Sequence, residues 1–144
     1  SQLKEIGVEV TIEKVESATF WDGLKVPKNK VDFDMVLFGY NPSHGDGYIQ
    51  MDAMYATNPS EAEAPIQWNF NWYSNPEVDR LLAEARRTVD IEQRTQILGE
   101  AQKMVWDDAV YLWLFAKNIL TAHRADVEGV QVLPVVFTLV HGDK

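Results

Sequence analysis

Two consecutive amphipathic helices constrain this fold more than any other feature of the sequence. From Pro76 to about Thr88, apolar residues recur at the i, i+3, i+4, i+7 spacing that lines one face of an α-helix, namely Val78, Leu81, Leu82 and Ala85. A second helix is predicted to start at Asp90 and to end at Asp107 or Asp108. Its predicted buried face consists of Ile97, Leu98, Ala101, Met104, Val105 and Ala109.

The start of the first helix allows two interpretations. Ser74 with Glu77 fits a capping box, in which the two side chains satisfy free backbone N–H groups. Asn75 before Pro76 fits an asparagine cap with proline at the first helical position. The sequence alone does not decide between these two caps. The second helix has a simpler signal, because Asp90 with Gln93 follows the same capping logic.

Strand-like and helix-like segments alternate along the rest of the chain. Residues 8–15 alternate between apolar and polar, as in a half-buried strand, and residues 35–38 form an apolar run typical of a strand buried on both faces. Residues 109–116 are predicted to form a buried strand or extended segment. Residues 123–142 contain two β-like stretches interrupted by Gly129 and Pro134. Further helices are predicted before Gly7, after a Ser17 cap (Phe20, Trp21 and Leu24 inward), and from 47 to 56 (Ile49, Met51 and Met54 inward). The fold class is therefore α/β, a mixed sheet flanked by helices.

The order of the elements does not make a complete doubly wound sheet. The sequence also opens inside an element, without a methionine. We therefore expect the chain to be part of a larger domain.

Composition excludes several function classes. The net charge is −9, from 13 basic and 22 acidic residues, and no basic patch is present to bind nucleic acid or an anionic membrane surface. There are no cysteines, which excludes disulfides and thiolate metal sites. No run of about 18 apolar residues predicts a membrane span. No cofactor and no metal site are predicted.

The loop after the apolar run 35–38 is the best candidate for a site. Ligands of open α/β sheets bind at the carboxyl ends of strands, and here such a strand leads into a polar loop containing Gly45 and Gly47. His44 and Asp46 resemble an acid–base pair, but no recognised catalytic motif surrounds them. We therefore expect a binding loop and not an enzyme.

A second candidate is the aromatic loop before the first amphipathic helix. Trp68, Phe70 and Trp72 alternate with Asn69 and Asn71, which would place the three rings on one side of an extended segment. One interpretation is a wall against a solute, with the two asparagines supplying hydrogen bonds. The other is a hydrophobic flap packed on its own domain.

These stretches resemble a known protein family. "YSNPEVDRLLAEA" and the later "EAQKMVWDDAVYLWLF", with "LKEIGVEVTIEKVESATFW" near the start, are similar to the C-terminal half of the extracellular solute-binding proteins of family 5. These are the oligopeptide-, dipeptide- and nickel-binding components of ABC importers. The resemblance covers most of residues 2–130 and implies part of one lobe of a type II periplasmic-binding-protein-like fold.

The strand-end loop departs from the family pattern. Tyr40 stands where the family has an aromatic residue, and Asp46 matches the second of two acidic positions, whose role is more structural. Ser43 stands at the first acidic position, which in peptide-binding members pairs with the peptide's α-amino group. A serine lacks that charge, so the resemblance leaves the solute open among peptides, sugars and chelates.

The resemblance implies a solute-binding protein that closes around a small solute and delivers it to an ABC permease, in the periplasm or outside the cell. Lipid anchoring stays open. The expected ligand-binding residues are Tyr40, Asn41, Ser43, Asp46, Trp68 and Trp72. Residues 1–120 are expected to belong to the C-terminal lobe and residues 121–144 to a segment crossing to the other lobe. The alternatives are a protein–protein interaction module that uses the aromatic loop and, less favoured, a hydrolase.

Overall fold

The computed structural model describes residues 2–40, 45–116, 118, 120–132 and 138–140. The helices are α1 (Gln2–Glu5), α2 (Ser17–Leu24), α3 (Gly47–Tyr55), α4 (Pro76–Arg87) and α5 (Ile91–Asp107), with one turn of 3-10 helix at Lys28–Lys30. The strands β1 (Val130–Val132) and β2 (Thr138–Val140) pair antiparallel, with Val130 opposite Val140. No helix within these described ranges is long and apolar enough to cross a membrane.

Helices α3, α4 and α5 all contact one another and share a single core. Both amphipathic helices are confirmed, and their apolar faces meet in this core. Its members are Met51, Met54, Tyr55, Val78, Leu81, Leu82, Ala85, Ile97, Ala101 and Val105. Because each helix satisfies its own backbone hydrogen bonds, only one face of each has to be covered by its neighbours.

Side-chain caps fix where the helices begin. The Asn75 side chain accepts hydrogen bonds from the N–H groups of Glu77 and Val78, with Pro76 at the first helical position, so the asparagine cap is the one used. Asp90 caps α5 by accepting from the Gln93 N–H at 2.8 Å, as predicted.

The cap predicted for α2 is wrong by one residue. Ser17 is already the first helical residue, and Glu16, in extended conformation, accepts the N–H of Ala18. The extended residue directly before a helix is the one whose side chain can reach back to its free N–H groups, which gives the role to Glu16.

Two of the predicted inward-facing residues point outward. Ile49 is 41% exposed, because residues two apart on a helix face opposite sides and Met51 takes the buried side. Ala109 is exposed because α5 ends at Asp107 and Ala109 adopts the left-handed φ of 50°.

The predicted mixed sheet is not confirmed in the described part of the chain, which is rich in helix and holds only the β1–β2 pair. Residues 8–15, 35–38 and 112–116 have no assigned helix or strand and take part in no sheet of the described part of the chain. Because strands are predicted there from the sequence, we call them the extended segments. The expectation that residues 35–38 are buried on both faces is wrong here, since Met35 is 59% and Leu37 78% exposed. A strand needs a neighbour for its hydrogen bonds, and none of the described segments supplies one. The division at residue 120 stays a prediction.

Candidate functional site

The hydrogen bonds at the helix ends define two opposite ends of the helical layer. At one end, Asp46 precedes α3 and accepts a hydrogen bond from Arg94 in the first turn of α5 (2.8 Å). At the other end, the α4 cap Asn75 donates to Asp108, which closes α5 (2.9 Å). Since α5 rises about 1.5 Å per residue, Arg94 and Asp108 lie about 20 Å apart. Helices α3 and α5 therefore run in the same direction, and α4 runs back between these two ends.

Tyr40 and Trp68 are brought together. Their ring centroids are 5.2 Å apart at an angle of 72°, an edge-to-face contact, and both side chains are half-buried. Trp68 continues into an aromatic cluster defined by Phe20, Trp21, Phe38, Tyr40, Trp68 and Phe70, with centroid distances of 5.0 to 6.3 Å between its neighbouring rings. Three of these rings, Phe38, Tyr40 and Trp68, pack against the helical core, and Trp68 is the ring in contact with Tyr40.

Asp46 fixes the far end of the candidate loop. Its Oδ1 accepts the N–H of Tyr48 at 2.9 Å, which caps α3, and its Oδ2 forms the 2.8 Å ion pair with Arg94. The Arg94 guanidinium also lies 5.4 Å from the centre of the Tyr48 ring. The negative charge of Asp46 is therefore neutralised by Arg94 of the same chain. Asn41 and Ser43, the other predicted contacts, lie outside the described residues.

Trp72 is not part of the aromatic cluster around Tyr40 and Trp68. Gln67 and Trp72 both have the left-handed φ of 55°, so residues 67–72 turn and do not form the predicted extended segment. Trp68 and Phe70 remain neighbours at 5.6 Å, whereas Trp72 lines a separate cavity with Pro27. The expectation of three rings on one side is therefore wrong.

Asn69 is an interior residue and does not face a solute. It is 0% exposed, and its Nδ2 donates to the carbonyls of Ala56 (2.8 Å) and Tyr73 (2.9 Å), while its Oδ1 accepts the Tyr73 N–H. Buried Asn58 in turn donates to the Asn69 carbonyl at 2.9 Å. The sequence prediction missed this role. The available signal was a short polar side chain within an aromatic run, where a turn needs local hydrogen bonds.

The resolved pKa shifts move groups away from neutral pH. Burial and a 2.6 Å hydrogen bond to Asp108 raise the pKa of Tyr73 to about 12, and burial raises the pKa of Tyr111 to about 12. The same Tyr73 hydrogen bond lowers the pKa of Asp108. General acid–base catalysis requires groups poised near the working pH, so these shifts reflect packing. Within the described ranges, no group of three or more acidic or histidine side chains is placed to hold a metal ion.

Comparison with known proteins finds similarity to periplasmic and solute-binding proteins. Over 136 residues it is 34% identical to the probable D,D-dipeptide-binding periplasmic protein of Escherichia coli K12, a match that covers 94% of this chain and 25% of that protein. It is also 28% identical over 136 residues to the glutathione-binding proteins of Pectobacterium atrosepticum and Salmonella typhimurium, covering 92% of this chain and 26% of each relative. The chain thus spans about a quarter of the length of these curated relatives. No protein-family profile and no solved structure matches.

Proposed function

We propose that this chain, which belongs to the extracellular solute-binding proteins of family 5, supplies part of the solute site of a two-lobed binding protein. Family membership rests on similarity over 136 residues to binding proteins, and not to enzymes. The protein would bind a small solute in a cleft between its lobes and deliver it to an ABC permease. Closure of two lobes needs no covalent chemistry.

One structural observation supports this proposed placement of the site. The loop between Tyr40 and Asp46 is held at both of its ends, by the Tyr40–Trp68 ring contact and by the Asp46–Arg94 ion pair. A loop with fixed ends can hold polar groups in one geometry, which reduces the entropy lost when a solute binds.

Four residues of the loop, together with Trp68, have distinct roles in this proposal. Tyr40 covers an apolar part of the solute, and Trp68 keeps the Tyr40 ring in place. Asn41 and Ser43 donate and accept hydrogen bonds to the solute. Asp46 accepts a hydrogen bond from the solute at the end of the loop. Its carboxylate also accepts one from Arg94. Trp72 is left out of this site, because among the described residues its ring contacts neither Tyr40 nor Trp68, which contact each other.

The solute class follows from charge. Ser43 is uncharged and the Asp46 carboxylate is compensated by Arg94, so we expect the solute to make neutral hydrogen bonds to this loop. A short peptide or peptide-like compound is favoured by the relatives, one a probable D,D-dipeptide-binding protein and the others glutathione-binding proteins. An oligosaccharide is the second choice, since stacking on Tyr40 suits a sugar ring.

The compartment is the periplasm or the extracellular space, in line with the E. coli relative, a periplasmic protein by name. Residues 1–120 would belong to the C-terminal lobe and residues 121–144 to the crossing segment. The unpaired segments 8–15 and 35–38 would then pair with strands of the longer protein.

The two alternatives receive less support. A docking module built on the aromatic loop would need exposed rings, but Phe70 is 5% exposed and Trp68, Trp72 and Tyr73 are half-buried. A hydrolase would use His44 and Asp46 as an acid–base pair. Asp46 is engaged by the Tyr48 N–H and by Arg94, and His44 lies outside the described residues, so the described structure offers this alternative no support.

Native mass spectrometry of the full-length protein, purified from its own host, tests the proposal. We expect a small molecule that remains bound under native conditions and leaves on mild denaturation, and its mass distinguishes a peptide from a sugar. A protein that carries nothing, and that stays empty when offered peptide and oligosaccharide mixtures, would overturn the proposed function.

A further inference from the structure

Arg94 brings a positive charge to the end of the proposed solute loop. It lies in the first turn of α5, and its Nη2 is 2.8 Å from the Oδ2 of Asp46. The Asp46 Oδ1 accepts the Tyr48 N–H at 2.9 Å. Since each carboxylate oxygen can accept more than one hydrogen bond, Asp46 keeps acceptor capacity for a solute although its charge is neutralised.

The Asp46–Arg94 ion pair is partly exposed. The side chain of Asp46 is 39% exposed and that of Arg94 is 29% exposed, so a solute can reach the carboxylate. Charges that are partly shielded from water interact more strongly, and are screened less by salt, than fully exposed charges. The pair therefore determines the net charge that a solute meets at this end of the loop.

A second contact restrains Arg94 beside Asp46. The Arg94 guanidinium lies 5.4 Å from the centre of the Tyr48 ring, a cation–π contact. Tyr48 is restrained in turn, because its hydroxyl donates a hydrogen bond to Asp52 at 3.0 Å. The positive charge is thus held in place by two neighbours and does not depend on the carboxylate alone.

The other charges close to Tyr48 balance each other. Asp52 and Arg86 are the charged side chains, besides Arg94, that act on the Tyr48 hydroxyl. Together with the Asp46–Arg94 pair they carry no net charge. Removal of Arg94 would leave one net negative charge in this group, and the partly exposed carboxylate of Asp46 would carry it without a partner.

We propose that Arg94 is a specificity-determining residue that acts through Asp46. By neutralising this carboxylate, it makes the site select a peptide-like solute whose end at the loop is uncharged and disfavour an ammonium group there. An ammonium group at Asp46 would lie beside the Arg94 guanidinium and be repelled by it, whereas an amide N–H can donate without adding a charge. The inference rests on the proposed function and names the residue that imposes the charge preference.

The test is calorimetry of the full-length protein with two peptides that differ at one end. The probes are alanylalanine and N-acetylalanylalanine, each in the L,L and the D,D form, at about pH 6, where a free α-amino group is charged. We expect the unmodified protein to bind the acetylated peptide more tightly. Arg94→Met should shift the ratio of the two dissociation constants toward the free amine by about fivefold, because the Asp46 charge is no longer neutralised.

Three further variants separate the charge of Arg94 from a role in folding. Arg94→Lys keeps the charge and should keep the ratio of the unmodified protein. Asp46→Asn combined with Arg94→Met removes both charges and should restore that ratio. Arg80→Met is the matched control and should leave the ratio unchanged, because Arg80 also forms a 2.8 Å ion pair, with Glu77, but on the exposed surface of α4.

An unchanged ratio in Arg94→Met, or an equal shift in Arg94→Lys or Arg80→Met, would overturn this inference. So would an unmodified protein that binds neither peptide at millimolar concentration. In that case, a different small molecule found on the protein by native mass spectrometry would still support the proposed function, so the two failures are distinguishable.

Discussion

The helical layer and the extended segments of this chain bury their apolar residues to very different extents. In the layer of α3, α4 and α5, residues such as Val78, Leu82 and Val105 are at most 2% exposed. In the extended segments, Ile12, Leu37 and Phe115 are 78–79% exposed.

The difference comes from where each element finds its hydrogen bonds. A helix satisfies its backbone internally and needs neighbours on one face only, so three helices can complete a core. A strand needs a partner for its backbone and cover for its side chains. The helical layer is thus self-sufficient in this chain, and the extended segments are not.

The largest expected effect comes from comparing a leucine of the helical layer with a leucine of the extended segments. Leu81→Ala removes a side chain that is 3% exposed in the shared core and should lower the free energy of unfolding by about 2–5 kcal/mol. Leu37→Ala, at 78% exposure, should change it by less than about 0.5 kcal/mol. Urea unfolding of this chain measures both. Equal losses would mean that the extended segments are packed as tightly as the helices.

The next effect tests whether the loop before α4 belongs to the self-sufficient region. Asn69→Ala leaves the Tyr73 N–H and two carbonyls without their buried partner, so we expect a loss of about 1–3 kcal/mol in the free energy of unfolding. Asn71→Ala is the control, since exposed Asn71 makes only contacts of 3.4–3.5 Å and should cost little. If the two variants unfolded at the same urea concentration, the structural role of Asn69 would be refuted.

A smaller effect distinguishes the two possible caps of α4. Asn75→Ala removes the acceptor for the Glu77 and Val78 N–H groups and should cost about 1 kcal/mol of stability. Ser74→Ala loses only an exposed contact with the Thr57 hydroxyl and should be nearly neutral. Thermal unfolding of both variants measures the difference, and a larger loss for Ser74→Ala would contradict the observed cap.

The smallest effect appears at high pH. The pKa of Tyr73 is raised to about 12, against about 10 in an unfolded chain, so the folded state holds this proton more tightly. The resulting stability is fully present below about pH 10 and is lost as the pH rises through about 12. Tyr73→Phe should make the fall in stability between these values shallower, while Tyr111, with a pKa also raised to about 12, keeps part of it. Urea unfolding at several pH values measures the slope, and an unchanged slope would contradict this assignment.

The regions whose structure could be predicted from the sequence are also the well-buried ones. The extents and inner faces of α4 and α5 depend on spacing and capping within a few residues, and they were predicted almost entirely. Ala109 was misplaced because the left-handed residue that ends a helix has no necessary sequence signal when it is not glycine.

The candidate site was predictable only in part. The loop after the apolar run 35–38 could be singled out from its glycines and its position, but the Asp46–Arg94 ion pair joins residues 48 positions apart, which no local pattern encodes. The left-handed turn at Trp72 likewise depends on Asn69 and on packing around it. Pairing of the extended segments depends on partners that the described residues do not contain.

The most direct test of the central claim is the solute affinity of full-length variants, measured by calorimetry with the solute identified by mass spectrometry. Tyr40→Ala and Asn41→Ala should each weaken binding by about tenfold or more, equivalent to at least about 1.4 kcal/mol. Trp72→Phe, at a ring that contacts neither Tyr40 nor Trp68 among the described residues, should leave the affinity unchanged. If the two loop variants bound the solute as tightly as the unmodified protein, the Tyr40–Asp46 loop would not be the solute site.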